Sequence, residues 1–305
     1  MRIGLRSVDG TYNMNFGSSL QCFAMYTFLR ELFPQDEIVY LSWWSKNQKL
    51  DPTISEKSLY GKLMKSTCDP YCLDKCVIGS DCIMYFNECD DREILDVIFL
   101  CNGKIDKILY SVGSANLQNK ITLGWKDYLS KMEYVSVRDI DNQRFIPNSI
   151  VSIDPTLLFD ETWWSNQIAK PVDMDIDEIR ETSITYCPWF EKDNTKWFKK
   201  PNGCMECYKN ESIKSPFEFL WVVKNCKEIH SYSFHAFIFS LIFNKHLFIH
   251  NAYNDFKLTN LMKMLNIHLE DGRFVNRDEV LTNIINQRKS SEIYLKYMIG
   301  KGMNK

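Results

Sequence analysis

Short apolar segments typical of β-strands alternate along the chain with segments of helical periodicity, and this alternation constrains the fold more than any other feature. Glu37–Leu41 and Leu247–Ile249 are typical of buried strands, whereas apolar residues recur every three or four positions in Pro216–Asn225. Strands that are separated by helices form βαβ units with parallel strands. The sequence therefore predicts an α/β protein built from parallel sheets and covering helices.

The chain is long enough for two lobes. It has 305 residues, just past the ~250–300 residues at which a single hydrophobic core stops growing. We predict two Rossmann-like lobes that face a cleft, one over residues 1–160 and one over residues 161–285. Residues 286–305 are predicted as a final helix that packs back toward the first lobe. The charged and aromatic residues 190–214 are typical of a long loop or lid, and the polar residues 44–70 of an excursion over the surface.

Charge and hydropathy exclude several classes of protein. Lys plus Arg number 37 and Asp plus Glu number 39, a net charge of −2, which differs from the basic footprint of a nucleic-acid-binding protein. The longest apolar stretch near the C-terminal third, residues 236–243, is far shorter than the ~20 residues of a membrane span. The first ten residues are too polar for a signal peptide. We therefore expect a cytoplasmic protein that binds no nucleic acid.

The 11 cysteines are expected to be thiols, because a chain without an export signal stays in a reducing compartment. Cys204 and Cys207 form a single CxxC pair, whereas a structural zinc site usually needs a second pair nearby. Free thiols are the favoured interpretation, and a zinc clip at Cys204 and Cys207 is the alternative. No metal is assigned to the predicted active site.

Ligands of open α/β sheets bind beyond the carboxyl ends of the strands, so polar residues that follow a predicted strand are candidates for a site. Asn15, Gly17 and Ser18 precede the first helix, where exposed backbone N–H groups can bind an anion; a turn with a serine cap is the alternative. Ser80 and Asp81 follow a short buried strand. The Asp81 carboxylate could orient a hydroxyl group or act as a base, or it could simply cap the turn.

Arg138 follows another predicted strand, and its planar guanidinium suits paired hydrogen bonds to a carboxylate or a phosphate. An ion pair with Asp139 or Asp141 is the alternative for this side chain. Asp154, in the segment Asp-Pro-Thr-Leu-Leu, is interpreted as a structural residue at the crossover between the lobes.

His235 is the most specific candidate for chemistry. The chain turns within two residues from a strand into the helix predicted over 235–243, which is apolar all round and is therefore expected to be buried. A cation at a helix amino terminus opposes the helix dipole, so we expect His235 to be neutral until an anion binds. An imidazole that gains a proton beside a phosphate suits general acid–base catalysis. A hydrogen-bonded core histidine is the alternative.

Six short motifs occur in a defined order from about residue 10 to residue 275. In chain order they are NFG at 15–17 with LQ at 20–21, VIGSD at 77–81, VSVRD at 135–139, DPTLL at 154–158, SPFEFL at 215–220, and SFH at 233–235 with FS at 239–240. Together, and in this order, they resemble the polysaccharide pyruvyl transferase family.

The resemblance implies a fold similar to the two-lobed B-type glycosyltransferases, with the site in the cleft. It implies transfer of the pyruvyl group of phosphoenolpyruvate onto two hydroxyls of a saccharide, which forms a cyclic ketal in a surface polysaccharide such as a capsule. On the matching positions, His235 is similar to the catalytic histidine and Arg138 to the anion-binding arginine. Phosphoenolpyruvate is then the donor substrate, and no cofactor is implied. An acceptor carried on a lipid would bring the enzyme to the inner face of the membrane.

Two places depart from the family pattern. Many members carry an arginine two residues before the catalytic histidine, where this chain has Ser233. Arg273 or Lys245 could supply the missing cation. After the Gly-Ser-Asp turn, where many members have Gln and Trp, this chain has Cys82 and Met84.

Two other functions stay open. One is a glycosyltransferase of the same architecture that uses a nucleotide-sugar, for which Glu218 or Asp255 could supply a carboxylate that binds the ribose. The other is a non-catalytic saccharide-binding relative that has lost donor binding together with the arginine missing at Ser233.

Overall fold

The computed structural model forms two compact units. Unit 1 comprises Met1–Val8, Gln21–Leu158 and Ile285–Lys305, and unit 2 comprises Asp9–Leu20 and Phe159–Ile284. The residues that the structure describes are 1–7, 15–41, 63–67, 70–81, 105–113, 129, 132, 135–144, 146, 148–187, 201–207, 210–250 and 256–301.

Unit 1 is built on a five-stranded parallel sheet. In chain order its strands are β1 (Arg2–Arg6), β2 (Glu37–Leu41), β3 (Ser66–Thr67), β4 (Lys75–Ile78) and β5 (Asp106–Leu109). They lie in the order β3-β2-β1-β4-β5, which is the order of a doubly wound sheet whose switch point lies between β1 and β4. Every described side chain of β4 is buried, as expected for a strand that is covered on both faces.

Further elements of unit 1 extend this sheet. Two more parallel strands, β6 (Val135–Val137) and β7 (Ser149–Val151), pair with each other, and Val112 bridges to Val137 of β6. The side chain of Tyr294 donates a hydrogen bond to the carbonyl of Leu109 at 2.8 Å. This bond fixes the C-terminal part of the last helix within unit 1.

Unit 2 is built on a four-stranded parallel sheet. Its strands are β8 (Ser183–Tyr186), β9 (Met205–Glu206), β10 (Glu228–Ser231) and β11 (Leu247–Ile249). They lie in the order β11-β10-β8-β9. In such an order the connections leave β8 in opposite directions, so the switch point lies between β8 and β10.

The helices in the described part of the chain are α1 (Phe16–Leu32), α2 (Glu161–Ser165), α3 (Ile176–Arg180), α4 (Pro216–Asn225), α5 (Phe234–Ile242), α6 (Phe256–Leu265) and α7 (Arg277–Gly300). Of these, α4 and α5 begin within one residue of their predicted positions, whereas α2 and α3 were not predicted. At α4 the hydroxyl of Ser215 accepts a hydrogen bond from the backbone N–H of Glu218 at 3.1 Å, and Pro216 occupies the first turn. Both features favour a helix start.

The structure confirms an α/β protein with parallel sheets, and it adds one hairpin that was not predicted. β12 (Leu269–Glu270) and β13 (Arg273–Phe274) pair antiparallel. The prediction of a loop or lid over 190–214 falls partly on residues outside the described part, as does the excursion over 44–70. Within the first of these segments the described residues include β9.

None of the helices in the described part of the chain has the length and apolar character needed to span a bilayer.

Candidate functional site

The carboxyl ends of β8 and β10 meet at the switch point of unit 2 and are joined by a serine. The Ser231 hydroxyl, at the end of β10, donates to the backbone carbonyl of Tyr186 at the end of β8. The same hydroxyl accepts a hydrogen bond from the backbone N–H of Ser233 at 2.9 Å. This serine therefore fixes the turn that leads from β10 into α5.

His235 lies in the first turn of α5, directly beyond this turn. All nine residues of α5 are buried, which confirms the prediction of a buried helix, and His235 itself is 6% exposed. The ring of Phe234 contacts the imidazole edge-on, with centroids 5.3 Å apart. Ser233 is the N-cap residue, but its side chain makes no capping hydrogen bond.

Gly17, in the first turn of α1, packs directly against the imidazole of His235. A Cβ atom at position 17 would lie 2.3 Å from Nδ1, 2.4 Å from Cγ and 2.5 Å from Cβ of His235. These distances are far below van der Waals contact, so any side chain here would displace the imidazole. The glycine is required for this close approach, and the amino termini of α1 and α5 meet at this contact.

Asn15 caps α1 and links it to the end of β8. Its side-chain oxygen accepts a hydrogen bond from the backbone N–H of Ser18 at 3.3 Å and another from the hydroxyl of Tyr186 at 3.3 Å. Tyr186 is fully buried and packs against Phe219, with ring centroids 4.4 Å apart. The alternative predicted for this segment, a turn with a serine cap, differs from the structure, because α1 already begins at Phe16 and the side chain of Asn15 supplies the cap. Gly17 and Ser18 lie within the first turn of the helix.

Tyr186 was missed by the sequence reasoning, although a signal for it exists. It is the last residue of β8, and carboxyl ends of strands are where ligand sites form. A tyrosine in an apolar run is usually a core residue, so the sequence alone does not predict a role for its hydroxyl.

The arrangement of helix amino termini in unit 2 favours the binding of an anion. The amino terminus of each helix carries roughly half a positive charge from aligned peptide dipoles, and its first N–H groups have no partner within the helix. Two such termini meet at Gly17 and His235, so a phosphate or carboxylate placed there would be attracted by both. An imidazole at the same position can donate or accept a proton.

Arg138 belongs to a separate, charged cluster in unit 1. Its side chain is 2% exposed, and Nη1 donates to Asp154 Oδ2 at 2.9 Å and to Gln21 Oε1 at 3.3 Å. The Nη2 atom lies 4.0 Å from Asp81 Oδ1. The other oxygen of Asp154 accepts from the backbone N–H of Thr156 at 3.0 Å. Asp154, which was interpreted as a structural residue at the crossover, is therefore an ion-pair partner of Arg138.

Two glycines of unit 1 allow close approaches, one to Arg138 and one to the backbone of Tyr110. A Cβ at Gly113 would lie 2.9 Å from Nη2 of Arg138, and a Cβ at Gly79 would lie 2.0 Å from the carbonyl oxygen of Tyr110. Gly79 also has a φ of +130°, a conformation that side chains disfavour. The next residue, Ser80, is fully buried, and its hydroxyl donates to the carbonyl of Ser111 at 2.8 Å.

Arg273 lies near the amino ends of the strands of unit 2, whereas His235 lies beyond their carboxyl ends. The Gly272 carbonyl, in the same hairpin, accepts from the backbone N–H of Leu247 at the amino end of β11. Lys245, the other proposed replacement, lies between the end of α5 and the start of β11. The structure therefore brings Asn15, Gly17, Ser18 and Ser233 together with His235, but not Arg273 or Lys245.

The remaining alternatives are constrained by burial. Cys204 and Cys207 are buried, and burial raises the pKa of Cys207 well above its ordinary value, which opposes the thiolate that zinc needs. Among the described residues no three His, Cys, Asp or Glu side chains form a group that could hold a metal ion.

The carboxylate proposed to bind a ribose has another function at Glu218. This side chain accepts a hydrogen bond from the backbone N–H of Lys214 at 2.6 Å and so stabilises the start of α4. Asp255 lies outside the described residues.

Comparison with known proteins assigns the chain to a protein family. No curated protein matches the chain. The family model described as polysaccharide pyruvyl transferase matches residues 15–249, a span that begins at the Asn15 cap and contains the contact between Gly17 and His235 as well as Arg138. Because the match covers well over half of the chain, this protein belongs to the polysaccharide pyruvyl transferase family.

Proposed function

We propose that this protein transfers the pyruvyl group of phosphoenolpyruvate onto two hydroxyls of a saccharide, with His235 as the catalytic acid and base. The observation that carries the proposal is the packing of Gly17 against His235. It places a buried imidazole where the amino termini of α1 and α5 meet. A site for the donor needs both features, an attraction for anions and a group that transfers protons.

The donor carries its negative charge on a phosphate and a carboxylate. In unit 2 the first N–H groups of α1 and α5 and the hydroxyl of Ser18 are the proposed donors to one of these groups. Arg138, in unit 1, is proposed as an anion-binding residue because the family resemblance implies that role. Asp154 holds the Nη1 side of its guanidinium, which fixes the fork in one orientation. Asp81 and Ser80 are proposed to have a different role, which is to orient a hydroxyl group of the acceptor.

The reaction needs two additions to one carbon. His235 in its protonated form gives a proton to the methylene carbon of phosphoenolpyruvate, which becomes a methyl group and leaves an oxocarbenium-like centre at C2. The first sugar hydroxyl attacks C2 and loses its proton to the neutral imidazole. The second hydroxyl then attacks C2, the bond from C2 to the phosphate oxygen breaks, and the proton leaves with phosphate. One general acid–base group and fixed N–H donors suffice for these steps.

The proposal also includes the setting that the family resemblance implies. The fold is that of two Rossmann-like lobes of the B-type glycosyltransferases, and the acceptor is a saccharide in surface polysaccharide biosynthesis. A lipid carrier for that saccharide would bring a cytoplasmic enzyme to the inner face of the membrane.

Donor choice is tested by thermal unfolding with phosphoenolpyruvate and with a panel of nucleotide-sugars. A ligand at 100 times its dissociation constant stabilises the folded protein by about 2.7 kcal/mol, so phosphoenolpyruvate should raise the unfolding temperature. Stabilisation by a nucleotide-sugar alone would instead favour the glycosyltransferase. Binding of saccharides without either donor would favour a non-catalytic relative.

The role of His235 is tested by His235→Ala, with His268→Ala as the matched control, because His268 is an exposed histidine of the same unit. We expect His235→Ala to abolish release of phosphate from phosphoenolpyruvate in the presence of acceptor, while circular dichroism shows an intact fold. The control should keep full activity. Normal phosphate release by His235→Ala would remove this residue from the mechanism.

A further inference from the structure

We propose that His230 and His250 form a binding site for a divalent transition-metal ion in unit 2, a site independent of the proposed transferase reaction. His230 lies on β10, and His250 follows β11 directly. The Nδ1 atom of His230 and the Nε2 atom of His250 share a hydrogen bond at 3.0 Å, so an ion that binds both nitrogens displaces the hydrogen between them. Two imidazole nitrogens bound to one tetrahedral Zn²⁺ lie about 3.3 Å apart, given metal–nitrogen distances of about 2.0–2.1 Å. The side chains therefore already have nearly the spacing of metal ligands.

A carboxylate orients the first histidine in the way that metal sites require. Glu228 Oε1 lies 3.3 Å from the other ring nitrogen of His230, Nε2, and accepts a hydrogen bond from the Ser183 hydroxyl at 2.8 Å. When Nε2 carries the hydrogen and donates a hydrogen bond to Glu228, Nδ1 has no hydrogen and its lone pair points toward His250. Metal-binding histidines almost always have such a partner on the nitrogen that does not bind the metal.

An aromatic ring further restricts the first histidine. The ring of Phe248 stacks on His230, with centroids 4.9 Å apart and planes 14° from parallel, and restricts its rotation. These contacts preorganise the pair.

The donor set limits the ion and its affinity. Because the described residues include no group of three metal-binding side chains, the site has two imidazoles and completes its shell with water. Imidazole suits Zn²⁺, Ni²⁺, Cu²⁺ and Co²⁺ better than Mg²⁺ or Ca²⁺, which prefer oxygen. The side chain of His230 is 14% exposed and that of Glu228 is 26% exposed, so an ion can enter from solvent and exchange.

Binding would stabilise an edge that supports the candidate active site. The backbone N–H of His250 donates to the carbonyl of Ser231 at 3.0 Å, and Ser231 fixes the turn into α5. An ion between His230 and His250 would add a second link between β10 and the end of β11.

The proposal is tested with Co²⁺, whose absorption distinguishes its ligands. We expect one Co²⁺ per chain by equilibrium dialysis, with weak visible bands and without the intense near-ultraviolet band of thiolate ligation. His230→Ala and His250→Ala should each abolish this binding, and Glu228→Ala should weaken it about 10- to 100-fold. His268→Ala, the control, should bind as the unchanged protein does.

Three results would overturn the proposal: no stoichiometric Co²⁺, a thiolate band, or binding that survives both histidine substitutions. Folding of each variant is checked by circular dichroism, and His250→Gln replaces His250→Ala should the alanine variant unfold. Because the readout is metal binding, its failure leaves phosphate release and the role of His235 unaffected.

Discussion

The carboxyl edges of the two sheets carry different kinds of site. In unit 1 the edge holds a buried guanidinium, that of Arg138, which is balanced by Asp154 and approached by Asp81. In unit 2 the edge holds an imidazole packed against a glycine, with helix amino termini and hydroxyl groups around it. One edge is organised by opposite charges, and the other by backbone dipoles and close packing.

This difference shows where each edge is sensitive to substitution. A buried ion pair makes each partner depend on the other, because removal of one leaves an uncompensated charge in a dry environment. A close contact with a glycine depends instead on the absence of atoms, so it is sensitive to the addition of a single methyl group. The predictions below test the two edges in order of the expected loss of stability.

The largest effect is expected at the ion pair of unit 1. Asp154→Asn preserves the shape of the side chain but removes the closer of the two carboxylates described beside the buried Arg138. We expect the free energy of unfolding to fall by about 3–5 kcal/mol, measured by urea denaturation. Asp173→Asn, at an exposed aspartate, is the control and should have almost no effect. A loss below 1 kcal/mol for Asp154→Asn would show that the charge of Arg138 is balanced by other groups.

The next effect is expected at the contact between Gly17 and His235. Gly17→Ala places a Cβ within 2.5 Å of three atoms of His235, and overpacking of this kind costs about 1–3 kcal/mol. The variant should also lose stabilisation by phosphoenolpyruvate, because the imidazole must move.

A double substitution separates this clash from a general cost of alanine at position 17. In a His235→Gly background both the imidazole and the Cβ atom of residue 235 are gone, so Gly17→Ala should be neutral or slightly stabilising, since alanine favours helix over glycine. Equal losses of stability in the two backgrounds would show that His235 does not cause the effect.

Local features of the sequence predicted the elements of both edges, but not the pairs that form across them. The apolar run before Gly79 and the turn before His235 indicated strand ends and a buried helix, and both are present. The contact of Gly17 with His235 joins residues more than 200 positions apart, and a glycine carries no side chain that could suggest its partner. The pairing of Arg138 with Asp154 likewise follows from the sheet order, which periodicity does not determine.

One missed element could have been predicted. Asp271 and Gly272 both have positive φ angles, 46° and 77°, as the central residues of a type I′ turn require. The Asp-Gly pair is a strong hairpin signal in any sequence. The flanking strands are only two residues long, so the alternation of side chains that usually supports such a prediction was too short to see.

A smaller effect is expected at the cap of α1. Asn15→Ala removes the acceptor of the hydrogen bonds from Ser18 N and from the hydroxyl of Tyr186, and loss of an N-cap costs about 0.5–2 kcal/mol. Tyr186→Phe, which removes only the second bond, should cost less. Should Tyr186→Phe destabilise more than Asn15→Ala, the tyrosine hydroxyl would have a further partner that matters more than the cap.

The smallest effect is expected at the N-cap of α5. Ser233 occupies the capping position but makes no side-chain capping bond, so Ser233→Ala should change the free energy of unfolding by no more than about 0.5 kcal/mol. Ser215→Ala at α4 is the matched comparison, because the Ser215 hydroxyl does cap its helix, and it should cost about 1 kcal/mol. The proposed contacts of the donor in this region are backbone N–H groups and the Ser18 hydroxyl, not the Ser233 hydroxyl. Phosphoenolpyruvate should therefore stabilise Ser233→Ala as much as it stabilises the unchanged protein, and a lost response would make the Ser233 hydroxyl itself a ligand of the donor.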